Sequence, residues 1–433
     1  MLLDTDVVVK TSTLIPTMLA APQTNLKTQG VQDPTMAKAM KHSGGDSVKV
    51  IRSLEEVEAI RDIWNSWQWN PNADIEFYLH VLRTNAKVIR PHVVVLYRDG
   101  LPVAMLVGRL MMESIHTRVG YALWFGGRTQ ILTFIYAGQA GDLSEQNSRA
   151  LVADVVRALR NGEANRATFR FIATESHFFR ALTQYPGFFT RDHFPQKQIH
   201  LKMDLPQSAE EIYSRLSSKV RKNLKWQGKK LIEAFDGKVR IECFRRPGEL
   251  ERMFEDVEQV AEKSYHRGLG FGFVDNQEMR ERVQLESQKG WFRAYVLYLA
   301  DHPAAFWIGN VSGRTFHSGF LGYDNVHGRY SPGIFLITKA FEKLCNEGVA
   351  EIDFGLGDAE YKRRFGSSSW EEACVDIFAP RLKGLMINAL RSPALLTEVL
   401  IKRSLNNTQI MARIKKLWRN RAIRSVQKGS TAA

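Results

Sequence analysis

Apolar residues recur along the chain with two spacings, and the changes between them mark out the secondary structure. Val48 to Arg52 alternates as a strand, and from Leu54 onward Val57, Ile60, Ile63 and Trp64 fall at helical spacing. A second helix is predicted over Ile75 to Leu82. Two apolar runs, His92 to Arg98 and Pro102 to Leu110, flank Asp99-Gly100, a pair that readily takes the positive backbone angles of a tight turn. They predict a hairpin. Strands near Ile131–Tyr136 and Thr168–Ile172 bracket a helix from about Ser148 to Leu159.

The second half repeats this order. Val239 to Phe244 is a strand, Glu249–Ser264 and Gln277–Ser287 are helices, and Phe292–Leu299 turns at Asp301-His302 into Ala304–Val311. The two hairpins align without a gap at an offset of 201 residues. Val95, Leu96, Tyr97, Pro102, Ala104 and Gly108 face Val296, Leu297, Tyr298, Pro303, Ala305 and Gly309, the same residue types. With the matching order of elements, this predicts a duplicated α/β unit. Between the halves, Ile212, Leu216, Val220 and Leu224 form an apolar stripe with Arg215, Lys219, Arg221, Lys222, Lys229 and Lys230 largely off it. An amphipathic basic helix is expected there, either a solvated connector or a positive rim beside an anionic ligand.

The stretch from Arg314 to Phe365 carries the most chemical information. A strand, Thr315 to Tyr323, leads into Asn325-Val-His-Gly-Arg-Tyr-Ser-Pro-Gly333, a helix from about Ile334 to Asn346, and the strand Glu351 to Phe354. Gly328, Pro332 and Gly333 free the backbone just before a helix N-terminus, where unpaired N–H groups and the helix dipole favour a phosphate, and Arg329 adds a cation. The second strand ends in Phe354-Gly-Leu-Gly-Asp358, followed by Tyr361-Lys-Arg-Arg-Phe365. Gly355 and Gly357 let the chain open there, which would set Asp358, Tyr361 and Lys362 around a ligand. A turn with a solvated basic patch is the other reading of the same residues.

Tyr330-Ser-Pro-Gly333, a helix, Asp353-Phe-Gly-Leu-Gly-Asp358 and Tyr361-Lys-Arg-Arg-Phe365 resemble the signature of the BioF2-like or CelD-like (cellulose biosynthesis) branch of the GNAT acetyltransferase superfamily, which is related to the FemAB aminoacyltransferases. Leu216-Ser-Ser-Lys-Val-Arg-Lys-Asn-Leu224 resembles the basic helix opening its acyltransferase domain, and Leu356 stands where that branch often has Arg. The resemblance covers about residues 205–380, with a fainter copy over 46–200. It implies an α/β (α+β) fold of two tandem GNAT-like domains, each a mixed twisted sheet flanked by helices. It also implies acyl-CoA bound at the loop before the central helix, formed by Tyr330, Ser331, Pro332, Gly333 and Ile334, on the N–H groups that loop offers, with Arg329 adding a charge, and an acyl carbonyl polarised between splayed strands. An acceptor amine or hydroxyl then attacks directly, which needs orientation and a base but no metal. Asp353, Asp358 and Tyr361 are the candidates for base or proton relay, with Lys362 completing the catalytic set; Asp324 and His317 rank behind them. The first copy has no Ser-Pro-Gly loop and no counterpart of Asp353 to Asp358, so it is expected to serve as a scaffold or acceptor-binding half.

Composition narrows the classes. The 433 residues, 44% hydrophobic and 10% aromatic, suit a globular protein of two or three domains. Three cysteines without a CxxC pair argue against a disulfide framework or a cysteine zinc site, and point to a reducing cytoplasm. No Walker loop, Gly-x-Ser-x-Gly elbow, dinucleotide fingerprint or His-Glu-x-x-His is present. The net charge of +14 is concentrated in two places: seven Lys/Arg and no acid between Tyr213 and Lys230, and twelve Lys/Arg against Glu398 alone from Arg381 to the end. The rest of the chain is weakly acidic, so no DNA partner is expected.

These features divide the chain into a mobile leader (1–45), a degenerate GNAT-like domain (46–204), an acyltransferase domain (205–380) and a basic helical tail (381–433). No run of 18 apolar residues suggests a transmembrane helix. In the tail, Ile410, Met411, Ile414, Leu417 and Trp418 at helical spacing among basic residues suit peripheral contact with an anionic membrane. The expected function is transfer of an acyl group from acetyl-CoA or another acyl-CoA to an amine or hydroxyl, on a small molecule such as a sugar or on a polysaccharide precursor. The alternatives are a FemAB-like transferase using aminoacyl-tRNA and a non-enzymatic, membrane-associated assembly factor for polysaccharide synthesis.

Overall fold

The structure, a computed structural model, describes residues 46–68, 70–119, 122–268 and 272–392. The expected leader and the amphipathic stretch Ile410–Trp418 lie outside the described residues. Two compact units emerge: residues 46–199 with 370–392, and residues 200–369.

In chain order the first unit contains β1 (Ser47–Ile51), α1 (Leu54–Ala59), α2 (Arg61–Trp67), α3 (Ile75–Thr84), β2 (Val88–Arg98), β3 (Leu101–Val119), β4 (Ala122–Gly141), α4 (Glu145–Arg160), β5 (Arg166–Ala173) and α5 (His177–Gln184). Then follow β6 (Gln196–Asp204), which enters the second unit at His200, α6 (Ala209–Arg215), α7 (Ser218–Ala234), β7 (Val239–Phe244), α8 (Leu250–Glu262), α9 (Tyr265–Gly268), α10 (Gln277–Gln288), β8 (Phe292–Leu299), β9 (His302–Ser312), β10 (Thr315–Tyr323), α11 (Pro332–Asn346), β11 (Glu351–Leu356) and α12 (Glu360–Phe365). The last strand, β12 (Ser368–Phe378), returns to the first unit.

The first unit's strands run β1-β2-β3-β4-β5-β12 and the second's β6-β11-β10-β9-β8-β7. Each sheet is mixed: β4 with β5 and β10 with β11 are parallel, and the other recorded pairings are antiparallel. Each is covered on both faces. In the first unit Leu151, Val155 and Phe178 pack on Leu132, Phe134 and Phe169, while Val57, Trp64 and Tyr78 pack on Val93, Val95 and Met105. In the second, Leu336, Ile337 and Phe341 of α11 cover Leu201, Phe316 and Ile352, and Met253, Phe254 and Val257 of α8 cover Val296, Phe306 and Ile308.

The duplication holds at the level of register. Val93↔Val107 and Leu96↔Ala104 in the first hairpin answer to Ala294↔Ile308 and Leu297↔Ala305 in the second. A register shift falls at the same place in both, between Leu96 and Tyr97 and between Leu297 and Tyr298. Gly108 and Gly309 also share a reason to be glycine. A Cβ would lie 2.5 Å from the Phe134 ring at the first and 2.2 Å from the His317 carbonyl oxygen at the second.

Three features differ from expectation. The boundary at 380 assigned residues 370–378 to the second domain, but Glu372 to Phe378 pair antiparallel with β5, and Ala373, Val375 and Ile377 fill the first core. The single basic helix is two, α6 and α7: Leu216 is extended, and the Ser217 side chain accepts the Val220 N–H to start a new helix. The second strand of the first hairpin continues far past Leu110, with β3 and β4 paired to Val119↔Ala122, through the mainly polar stretch Glu113 to Arg118 where the apolar run has ended.

Two buried histidines give the fold an acid liability. Burial pushes His92 down to about 4 against the pull of Glu163, and His317 down to about 3 with His200 adding to the effect. Their ordinary unfolded value is about 6.5. The native state therefore holds fewer protons than the unfolded chain below that pH. This stability is fully present above about pH 6.5 and is lost as pH falls toward the folded values, at up to about 1.4 kcal/mol per pH unit for each histidine. Urea unfolding at pH 5.0 should show each unit less stable by about 2 kcal/mol than at pH 7.5; equal stabilities would contradict this account of the two histidines.

Candidate active site

The central strands of the second unit part company. Parallel pairing joins Thr315, Phe316 and His317 to Glu351, Ile352 and Asp353, and stops there. Beyond that point β10 stays with β9 as far as Tyr323↔Ala305, and β11 stays with β6 as far as Leu356↔His200. Register shifts sit on both diverging strands, between Ser318 and Phe320 and between Asp353 and Gly355. Gly355, at φ +77°, has a left-handed backbone that suits glycine. The facing backbone groups of the two strands are thereby left to water or a ligand.

The turn into α11 lies at the end of β10. Asp324, 3.7 Å from Lys263 Nζ, accepts the Val326 N–H and starts a 3-10 turn over Asn325–Tyr330. Arg329 is exposed, with its guanidinium 4.7 Å from the Tyr330 ring centroid, and Tyr330 packs edge-on against Phe235. Ser331 is left-handed (φ +54°). Most helices here start with a side-chain cap, as with Ser53, Asp74, Ser144, Ser176 and Asn276. The Ser331 side chain instead makes no cap bond, Pro332 brings no N–H, and the first turn carries no acid. The Gly333 amide has no intrahelical acceptor, and a Cβ there would lie 3.4 Å from the Tyr323 ring. Ile334 donates back to the Ser331 carbonyl and closes the turn.

The corresponding turn of the first unit is closed to anions. Ser144 caps α4 through the Asn147 N–H, Glu145 occupies the first turn, and Asp142 holds the Asn147 amide at 2.9 Å. The register also places Thr133 and Thr168 where the second unit has His317 and Asp353.

A buried polar cluster marks the point of divergence. Phe316, Ile352 and Leu201 face α11, so strand alternation turns His317, Asp353 and His200 to the opposite face. His200 Nε2 is 2.6 Å from Asp353 Oδ1, which also accepts the Gly355 N–H at 3.0 Å. His317 Nδ1 is 4.0 Å from Asp353 Oδ2. Lys362 of α12, only 9% exposed, donates to the Leu356 carbonyl at 2.6 Å. Burial lowers its pKa to about 8, against the opposing charge of Asp353.

The other two sequence candidates sit differently. Tyr361 packs edge-on against Phe354, with its ring centroid 5.9 Å away, and burial raises its phenol above the ordinary range. Asp358 is exposed and pairs with Arg363 at 3.1 Å. This exposed ion pair contributes less than about 1 kcal/mol to stability, and with its carboxylate turned to solvent Asp358→Asn should leave turnover within about two-fold of wild type; a ten-fold loss would place this carboxylate in the chemistry.

His200 is absent from the sequence candidates because β6 is absent from the predicted strands. A signal exists: Ile199, Leu201, Met203 and Leu205 alternate. His200 and Lys202 fall in the polar phase, which reads as solvent-facing for an edge strand, whereas both are buried. Among the described residues no His, Cys, Asp and Glu group is arranged to hold a metal ion.

A solved structure shares this fold, and two others are similar to parts of it. FemX aligns over 76% of this chain and 98% of its own, with a TM-score of 0.50 and 10% identity. The C-terminal domain of a protein from Agrobacterium fabrum assigned as a lysylphosphatidylglycerol synthetase aligns over 79% of this chain and 96% of its own, with a TM-score of 0.45 and 15% identity. A tandem GNAT protein from the clavulanic acid biosynthesis pathway aligns over 78% and 99%, with a TM-score of 0.42 and 10% identity. No curated protein matches. Residues 218–363, which run from α7 through the parted strands to Lys362 and Arg363, match the acetyltransferase (GNAT) domain family, so the chain carries a GNAT-type acetyltransferase domain.

Proposed function

We propose that this protein transfers an acyl group from an acyl-CoA to an amine or hydroxyl acceptor, as a member of the CelD-like branch acting on a sugar or polysaccharide precursor. One observation carries the reading: β10 and β11 diverge after His317 and Asp353, beside the start of α11, where Ser331 makes no side-chain cap and no acid is present. A pyrophosphate fits that helix start, and a pantetheine arm fits between diverging strands whose backbone groups it can satisfy. The donor supplies an electrophilic thioester carbonyl and a thiolate leaving group. The chain's own task is to orient the acceptor and take its proton as the new bond to the acyl carbon forms and the C–S bond breaks. Lys362, with its pKa lowered to about 8, has a neutral fraction of roughly one-tenth at pH 7 and suits that role.

The second reading, transfer from aminoacyl-tRNA, is favoured by α7. This helix exposes Lys219, Lys222, Lys225 and Lys229, and packs close to α11, where a Cβ on Gly228 would lie 3.5 Å from Phe335. Thermal-shift titration of the full chain with CoA, acetyl-CoA and bulk tRNA separates the readings. A ligand at 100 times its Kd stabilises by about 2.7 kcal/mol, which raises Tm by several degrees. Shifts with CoA and acetyl-CoA support the first reading. A shift with tRNA alone supports the second. No shift with any of the three would favour an assembly factor without catalysis.

A further inference from the structure

The buried pair His200–Asp353 joins β6 to β11, and its position links it to Lys362 through the backbone. β6 and β11 pair as Asp353↔Lys202, Gly355↔Leu201 and Leu356↔His200, so Phe354 is the extra residue of a bulge. Asp353 Oδ1 bridges this bulge by accepting both the Gly355 N–H and His200 Nε2. One residue beyond Gly355, the Leu356 carbonyl receives Lys362 Nζ. The order runs from imidazole to carboxylate, to the Gly355 amide, and one residue on to the Leu356 carbonyl and the lysine.

Such a bulge is easily deformed, because the glycines at 355 and 357 both have positive φ, +77° and +95°. A charge-assisted bond across it therefore adds to the β6 pairing in fixing the direction of the Leu356 carbonyl. The charged or titratable groups near Lys362 on this face are Asp353 on β11, His200 on β6 and His317 on β10. Lys202, further along β6, is held by Glu351 at 2.6 Å. Of these, Asp353 supplies the negative charge that opposes the effect of burial on Lys362.

We propose that His200 is a positioning residue of the acyl-transfer site, holding Asp353 against the Phe354 bulge and its Gly355 amide so that Lys362 is aimed and keeps its counter-charge. The inference rests on the reading of this cleft as the acyl-transfer site. In this role His200 acts through Asp353.

The test compares full-length wild type with His200→Leu, which removes the donor, and His200→Gln, which retains one. Trace labelling with acetic anhydride across pH 6–10, read by peptide mass spectrometry, gives the titration midpoint of Lys362 without requiring any enzymatic activity. Wild type should titrate near 8. Losing the aligned carboxylate should lower the midpoint in His200→Leu by about half a pH unit or more, and His200→Gln should restore most of it. Where His200→Leu fails to fold, His200→Asn, whose shorter amide falls short of Asp353, is read against His200→Gln in its place. Midpoints that do not differ between donor-lacking and donor-retaining variants would overturn the proposal. Acetyl-CoA turnover is followed in parallel: a shifted midpoint without turnover in wild type leaves the positioning role standing and counts against the acyl-CoA reading alone.

Discussion

Full-length protein carrying Gly333→Asp should bind CoA about 100-fold more weakly than wild type, with its fold intact. A carboxylate about 5 Å from a phosphate, at the effective dielectric of a protein surface near 20, is repelled by about 3 kcal/mol. The substitution is tolerable to the fold for two reasons. The added Cβ meets only the Tyr323 ring, at 3.4 Å, and an acid in a first helical turn complements the helix dipole. Gly333→Ala is the matched control and should bind CoA within a few-fold of wild type. Isothermal titration with CoA, beside thermal melting of each variant, reads both quantities. Undiminished affinity in Gly333→Asp would remove the start of α11 from the donor site.

Lys362 is the residue with the largest expected effect on turnover. Lys362→Met should lower kcat by about 100-fold or more, within the range usual for a lost general base. Lys362→Arg should do the same, since a guanidinium keeps the charge and does not deprotonate near neutrality. The pH profile carries the sign. Burial lowers the lysine to about 8, so the neutral amine accumulates as pH rises, and wild-type turnover should climb through pH 7 and level above about 8. Near-wild-type activity in Lys362→Arg would show that the charge matters and the proton does not, which makes the group an electrostatic stabiliser.

Much of this arrangement is legible from sequence, and the reasons are local. The hairpins at 92–110 and 292–311 announce themselves through paired apolar runs and Asp-containing turns, and their shared register confirms the repeat that six identities suggest. The span of β10 is read directly, because Thr315 and Tyr323 border polar and glycine-rich turns. The start of α11 is legible through Ser331-Pro-Gly333, although the left-handed Ser331, which leaves that start without a side-chain cap, is a property of the folded turn. What escapes is non-local. β6 and β12 mix polar with apolar positions, and their partners lie far along the chain, with Asp353 pairing to Lys202 and Asp376 to Thr168. Local periodicity holds no record of such pairings, so the placement of β12 in the first unit and the burial of His200 against Asp353 emerge only from the fold. The same holds for Asp358 and Lys362. They lie four residues apart in one motif, yet the first is exposed and the second is buried.

The central claim is that the divergence of β10 and β11 receives an acyl-CoA. Hydrogen–deuterium exchange of the full chain with and without acetyl-CoA tests it most directly, since amides left unpaired by diverging strands exchange quickly until a ligand satisfies or shields them. Added acetyl-CoA should slow exchange in three segments together: residues 318–323 of β10, 329–335 at the start of α11, and 354–357 at the end of β11. The first unit's counterpart at the start of α4, already capped by Ser144, should not change. Unchanged exchange in all three segments at saturating acetyl-CoA, or protection confined to α7, would contradict the account.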